Sequence, residues 1–197
     1  MAKPVAKRGE GRRRVLDAAP ALFAEHGVSG TSLHMIAGAL GVTKAAVYYQ
    51  FQSKDDIVLA VLEPALTQLA AIVEKAESEP TAAARRDAAL RGIVDLAVDH
   101  GHLAAVLQND HTVSRLLETH EPLQGLIARL SSALTGPDPG PAVRVAAAVV
   151  GGGLMVARVS PELADLADDV LRREMLACAS AALAASEAGA ALASGMG

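Results

Sequence analysis

The stretch Thr31–Lys54, TSLHMIAGALGVTKAAVYYQFQSK, sets the architecture of the chain. Leu33, Ile36, Ala37 and Leu40 recur at i, i+3, i+4 and i+7, the spacing of one buried helical face. Thr31 or Ser32 stands before them in N-cap position, and Gly41 turns the chain after them. Thr43 then caps a second short helix over roughly Lys44–Gln50. On a wheel of that second helix, Lys44, Ala45, Tyr48 and Tyr49 share a sector of about 140°. Ala46, Val47, Gln50 and Phe51 fall on the other side. Val47 and Phe51 are thereby aimed at Leu33, Ile36 and Leu40, and the first group faces outward. Two short helices joined by a tight turn, the second with a cationic and aromatic outer face, form a helix-turn-helix pattern.

The chemistry of that outer face suits a DNA major groove. Lys44, near the helix N-terminus, matches phosphate or guanine. Ala45 touches a thymine methyl and permits close approach. Tyr48 and Tyr49 carry hydroxyls for phosphates and rings for sugars. Thr31, Ser32 and Thr43 lie at helix N-termini, where anions bind. Lys54, opening the next helix, reads as a phosphate clamp, and Arg12, Arg13 and Arg14 are placed to reach the DNA backbone or minor groove. Phe51 reads as a core aromatic.

Outward from this stretch, nearly every segment has helical period and none alternates like a strand. Residues 1–11 read as a disordered basic arm. A helix over about Arg12–His26 places Val15, Leu16, Ala19, Leu22 and Phe23 on one stripe and stops at Gly27, with a bend expected at Pro20. Ser53 and Asp56 make a capping box for a long helix reaching about Ser78, with a kink expected at Pro64. Further helices are expected over about 81–100, 102–109, 112–119, 122–134 and 142–159. GPDPGP at 136–141 is the clearest loop. A last helix is expected from Pro161 to about Ser186, followed by a frayed tail over 189–197. The organisation that follows is all-α: a helix-turn-helix DNA-binding domain over 12–54, then a helical domain over 55–188, to which the family resemblance given below assigns effector binding and dimerisation.

Charge divides the chain in the same place. Through Lys54 there are eight Lys or Arg against three Asp or Glu; after it, ten against nineteen. A basic head attracts phosphate, and an acidic body stays off it. The one cysteine, Cys178, has no internal partner, which fits a reducing cytoplasm, and it reads as a small core residue. The strongest membrane candidate, Val145–Ala157, falls short of the roughly 20 residues a span needs, so no membrane partner is expected. His100, His102, His111 and His120 lack cysteines and closed-site spacing, so neither a metal nor another cofactor is expected. No nucleophile triad, phosphate loop or carboxylate pair supports an enzyme.

Residues 14–57 closely resemble the DNA-binding domain of the TetR family of bacterial repressors. The elements that carry the resemblance are Val15-Leu16-x-Ala18-Ala19, Leu22-Phe23-x-x-x-Gly27, Thr31-Ser32, Ile36-Ala37, Leu40-Gly41-Val42-Thr43, Val47-Tyr48-x-x-Phe51 and Ser53-Lys54-Asp55. Pro20, Ala46 (where Gly is frequent) and Gln50 (where His is frequent) depart from the pattern. The resemblance implies a homodimer joined through its last two helices. It implies an operator released when a small molecule binds a variable domain, and it names Thr43, Lys44, Ala45, Tyr48, Tyr49 and Lys54 as DNA contacts.

All four aromatic residues (Phe23, Tyr48, Tyr49, Phe51) lie in the first 51 positions. An effector site in the remaining chain therefore has aliphatic walls and no means of stacking a flat cation. Leu62, Leu66, Leu69, Leu103, Val106, Leu107, Leu126, Leu130 and Met155 are its candidate lining. His102, Gln108, Asn109, His111 and Arg158 are its candidate polar contacts. An apolar or amphipathic small molecule fits such a site. The alternative is a DNA-binding regulator that is constitutive or controlled by a protein partner, with those leucines filling a core.

Overall fold

The computed structural model describes residues 9–101 and 110–194. Most of the expected basic arm, the helix expected over 102–109 and the last three residues lie outside the described residues. The described chain is helical: α1 Glu10–Gly30, α2 Leu33–Leu40, α3 Lys44–Gln50, α4 Lys54–Ser78, α5 Ala82–Asp99, α6 His111–Thr119, α7 Glu121–Thr135, α8 Pro141–Ala157 and α9 Asp168–Ser194, with a 3₁₀ turn at Pro161–Leu163.

The local signals act where expected. The Ser32 hydroxyl accepts from the Met35 amide at 3.2 Å, and that of Thr43 from the Ala46 amide at 3.2 Å. Gly41 turns the chain with φ +63°. The Ser53 amide donates to Asp56 Oδ2 at 2.9 Å and the Asp56 amide to Ser53 Oγ at 3.1 Å, closing the capping box. Gly27, with φ +72° and ψ 161°, is the one non-helical position within α1, so the break falls there and the backbone stays helical through Pro20. α4 likewise runs through Pro64 as one helix.

The last helix starts later than its sequence suggests. Leu163 and Leu166 pack on the core, and the 3₁₀ turn at Pro161 brings these i, i+3 side chains onto one side. α9 begins only at Asp168, whose acidic first turn suits a helix N-terminus. It then runs past Gly189 to Ser194 instead of stopping near Ser186.

The chain divides into two compact units, 1–64 with 105–120 and 65–104 with 121–197. The division is not at residue 54, because Ile57, Val58, Val113 and Leu116 are buried in the same unit as the helix-turn-helix. The core of that first unit also holds Val15, Ala19, Phe23, Val28, Ile36, Val47 and Phe51. In the second unit, Leu90, Val94 and Val98 of α5 meet Val150 and Leu154 of α8 and Leu171, Met175, Ala179 and Leu183 of α9.

Among the described residues, α4 and not Val145–Ala157 is the helix long and apolar enough for a bilayer: 25 residues, with an 18-residue window of mean hydropathy 1.7. Ile57, Val58, Leu69, Ile72, Val73 and Ala76 are nevertheless buried in the two units, the use a core helix makes of such a face.

Gly92 of α5 fixes the approach of α4. A Cβ there would stand 2.5 Å from Cγ2 and 2.7 Å from Cγ1 of Ile72, a β-branched side chain with little rotamer freedom. Overpacking of that kind costs about 1–3 kcal/mol, more than the roughly 1 kcal/mol alanine returns in helix propensity. Gly92→Ala is expected to lower the thermal midpoint by several degrees in a circular dichroism melt.

Candidate nucleic-acid interface

The residues of α3 divide between core and surface. Val47 is fully buried and Phe51, its C-cap residue, is 2% exposed, while Tyr49 is 88% and Tyr48 44% exposed. Lys44 and Ala45 are exposed beside them. Ala46, placed by the wheel on the packing side, is exposed too, and Gln50 is half-buried. The Lys44 ammonium stands 5.4 Å from the Tyr48 ring centroid, which holds the charge at the head of the helix.

A shallow concavity of about 530 Å³ adjoins this face. Ser29, Gly30, Thr31, Ser32, Leu33 and His34 form one wall, and Lys44, Tyr48 and Gln52–Lys54 the other. His34 and Gln52 were not foreseen from the sequence. Neither belongs to the apolar periodicity, and only the crossing of α2 and α3 sets them beside Lys44.

Four of the expected cationic or hydroxyl contacts are engaged within the fold instead. Thr31 is buried, and its hydroxyl is shared between the carbonyls of Gly27 at 2.7 Å and Leu22 at 3.1 Å. Lys54 directs its ammonium at the carbonyls of Val28 (2.7 Å), Ser29 (3.1 Å) and Thr31 (3.1 Å). An ammonium has three donors, so these acceptors use them all. Arg12 lies 4.3 Å over the Phe51 ring, and Arg14 donates to the Leu40 carbonyl at 3.0 Å. Ser32 and Thr43 use their hydroxyls as caps, and Arg13 is exposed. The sequence gives the residue types near the surface; it does not reveal which polar groups the turn between α1 and α2 claims for its own carbonyls.

The expected effector residues do not come together in one described site. Leu66, Leu69, Leu126 and Leu130 pack with Val73, Leu96 and Leu123 in a small core. Leu62 is buried in the first unit. Met155 is exposed on α8, and Arg158 lies over Gly101, its guanidinium near the Val98 carbonyl. His111 is exposed at the start of α6. His102, Leu103, Val106, Leu107, Gln108 and Asn109 fall outside the described residues. Cys178, expected in the core, is exposed on α9, because Met175 and Ala179 hold the buried positions on either side of it. Among the described residues, no group of three or more His, Cys, Asp or Glu is placed to hold a metal.

A capped α2, a turn at Gly41, and an α3 with one buried and one displayed face define a helix-turn-helix domain of the DNA-binding regulator class. Residues 15–61 match the family described as bacterial regulatory proteins, tetR family. The transcriptional regulator AcrR of Shigella flexneri is 46% identical over 54 residues, 27% of this chain and 25% of AcrR. The chain thus matches only about a quarter of that relative's length. Across the whole fold, the structure of the SmeT–triclosan complex aligns with a TM-score of 0.62 and 27% identity, covering 89% of this chain and 90% of SmeT. The crystal structure of AibR in complex with isovaleryl coenzyme A and operator DNA shares the fold at a TM-score of 0.58 and 19% identity, over 85% of this chain and 96% of AibR. Over residues 15–61, therefore, the chain carries the domain by which the tetR family of bacterial regulatory proteins is identified.

Proposed function

We propose that this protein is a cytoplasmic, homodimeric regulator that holds a double-stranded operator and is released from it by a small apolar or amphipathic molecule. The observation that carries the reading is the split character of α3. Its packing residues are buried to 2% or less, and Lys44, Ala45, Tyr48 and Tyr49 are displayed together. Two such helices in a dimer enter successive major grooves roughly 34–36 Å apart. Ser32 lines the concavity beside that face and Thr43 caps α3, while Thr31 and Lys54 shape the surface from within, and Arg13 is exposed on α1. Repression is the sign adopted, by family likeness. The test is a gel shift of the full chain on the duplex upstream of its own coding sequence. Binding that weakens with salt is expected, as is release by a triclosan-like or acyl-chain probe. Salt-independent or absent binding overturns the reading.

Dimerisation through α8 and α9 is supported by an unpartnered apolar stripe. Val145, Val149, Gly152 and Val156 follow at i, i+4, i+7 and i+11, and the three valines are 64%, 66% and 55% exposed. Ala177, Cys178, Ala181 and Ala184 are exposed on α9. Gly151–Gly153 do not kink α8, which is an unbroken helix, and a Cβ on any of them meets nothing within 4 Å in this chain. Small residues on this face suit close approach of a second copy. Val149→Glu is expected to shift the protein from dimer to monomer in sedimentation analysis, because a carboxylate buried in an apolar interface lacks a partner; an unchanged dimer overturns this assignment.

One observation favours regulation without a small ligand: Leu66, Leu69, Leu126 and Leu130 close on one another as a core. Operator binding indifferent to lipophilic probes would establish that alternative.

A further inference from the structure

α6 begins far downstream of the helix-turn-helix in sequence, yet it is fastened to the turn between α1 and α2. Asp110, the N-cap of α6, accepts the Ser29 amide on Oδ2 at 2.6 Å and the Ser29 hydroxyl on Oδ1 at 2.8 Å. Oδ1 also accepts the Thr112 amide at 2.9 Å, and the hydroxyls of Ser29 and Thr112 lie 3.1 Å apart. The opposite edge of the same turn is held by α4, whose Lys54 ammonium takes the carbonyls of Val28, Ser29 and Thr31. A third fastener joins the two helices directly: Arg115 of α6 meets Asp55 of α4 at 3.1 Å. The three contacts form a closed triangle of α6, α4 and the α1–α2 turn, with Ser29 the residue gripped on both its N–H and its C=O. Gly27 permits the turn, since a side chain would strain a backbone at φ +72°, whereas a Cβ there would meet Asp110 Oδ2 only at an ordinary 3.4 Å.

We propose that Ser29 and Asp110 are positioning residues for operator binding: through them α6 sets the seating of the α2 N-terminus, and with it the α2–α3 recognition surface. The inference rests on the DNA-binding reading above. Ser29 sits two residues before Thr31, whose buried hydroxyl and amide tie the start of α2 to Gly27 and Val28. Loosening Ser29 therefore leaves α2, and the concavity it shares with Lys44 and Tyr48, less preorganised for DNA. Burial raises the Asp110 carboxyl, but the Ser29 amide and hydroxyl and the Thr112 and Val113 amides outweigh it and hold the group below its ordinary value, as a carboxylate acceptor.

The experiment uses the full chain with Ser29→Ala, Asp110→Asn and the double variant. Asparagine caps a helix about as well as aspartate, so α6 keeps its cap while the second carboxylate acceptor is lost. Binding to the upstream duplex is measured well below the melting temperature, alongside amide hydrogen exchange over residues 33–46. Each single variant is expected to weaken binding about five- to tenfold, the scale of typical site-to-site coupling. The double variant is expected to be no worse than the weaker-binding single one, and exchange at the Met35 and Ala46 amides should quicken in all three. A purely structural cap would lower the melting temperature and leave affinity and exchange unchanged, which overturns the proposal. Losses that multiply in the double variant overturn it as well. Should the unaltered protein show no salt-sensitive binding, and Lys44→Ala with Tyr48→Ala change nothing, the DNA-binding reading itself falls and takes this one with it.

Discussion

Lys44→Ala combined with Tyr48→Ala is expected to weaken operator binding strongly and flatten its salt dependence while leaving the fold intact. Both side chains are exposed, so their removal opens no cavity, and alanine is the best helix former. Surface changes of this kind shift stability by about 0.5 kcal/mol or less. The cost falls on the complex. Lys44 is an exposed cation at the head of α3, and its loss should reduce the slope of log affinity against log salt by about one. Tyr48 holds the Lys44 ammonium over its ring and lines the concavity, so its loss removes both a contact and the support of another. Together they should reduce affinity by at least about 30-fold, given about 1–3 kcal/mol for each good specific contact. An affinity within threefold of the original protein, at two salt concentrations, would refute the placement of DNA on this face.

Phe51→Ala produces the opposite pattern, a loss of stability. The ring is 2% exposed and lies under the Arg12 guanidinium at 4.3 Å, closing the core beneath α3. Phe to Ala in a packed core costs about 3–5 kcal/mol, and a domain has only about 5–15 kcal/mol in total. The melting temperature of the helix-turn-helix unit should fall by ten degrees or more. Operator affinity at low temperature is expected to fall less than in the Lys44 and Tyr48 pair. A variant that melts normally but no longer binds would make Phe51 a contact residue and invert the assignment of the two faces of α3.

Much of the first unit is legible in the sequence because its signals are local. The N-caps at Ser32 and Thr43, the Ser53–Asp56 capping box, the Gly41 turn and the spacing of Leu33, Ile36, Ala37 and Val47 act within a few residues of where they are written. The later boundaries are less legible, since long-range burial decides them. Leu163 and Leu166 pull Pro161 into a 3₁₀ turn, and Val113 and Leu116 recruit α6 into the helix-turn-helix unit although the chain reaches them through a whole other unit. Cys178 shows the same limit, because an alanine-rich helix has no strong periodicity to say which face is buried.

The sequence by itself determined an all-helical chain, the position of α3 and most of the residues displayed on it, because each follows from spacing and capping. Tertiary structure alone decided what the polar groups around that helix do. Lys54 and Thr31 carry the right chemistry for phosphate, but the helix break at Gly27 leaves carbonyls at the α1–α2 turn that must find donors, and these two side chains are the ones within reach. The tie from Asp110 to Ser29 has no signature in either segment. It exists because folding brings an exposed N–H and hydroxyl to a carboxylate 81 residues away.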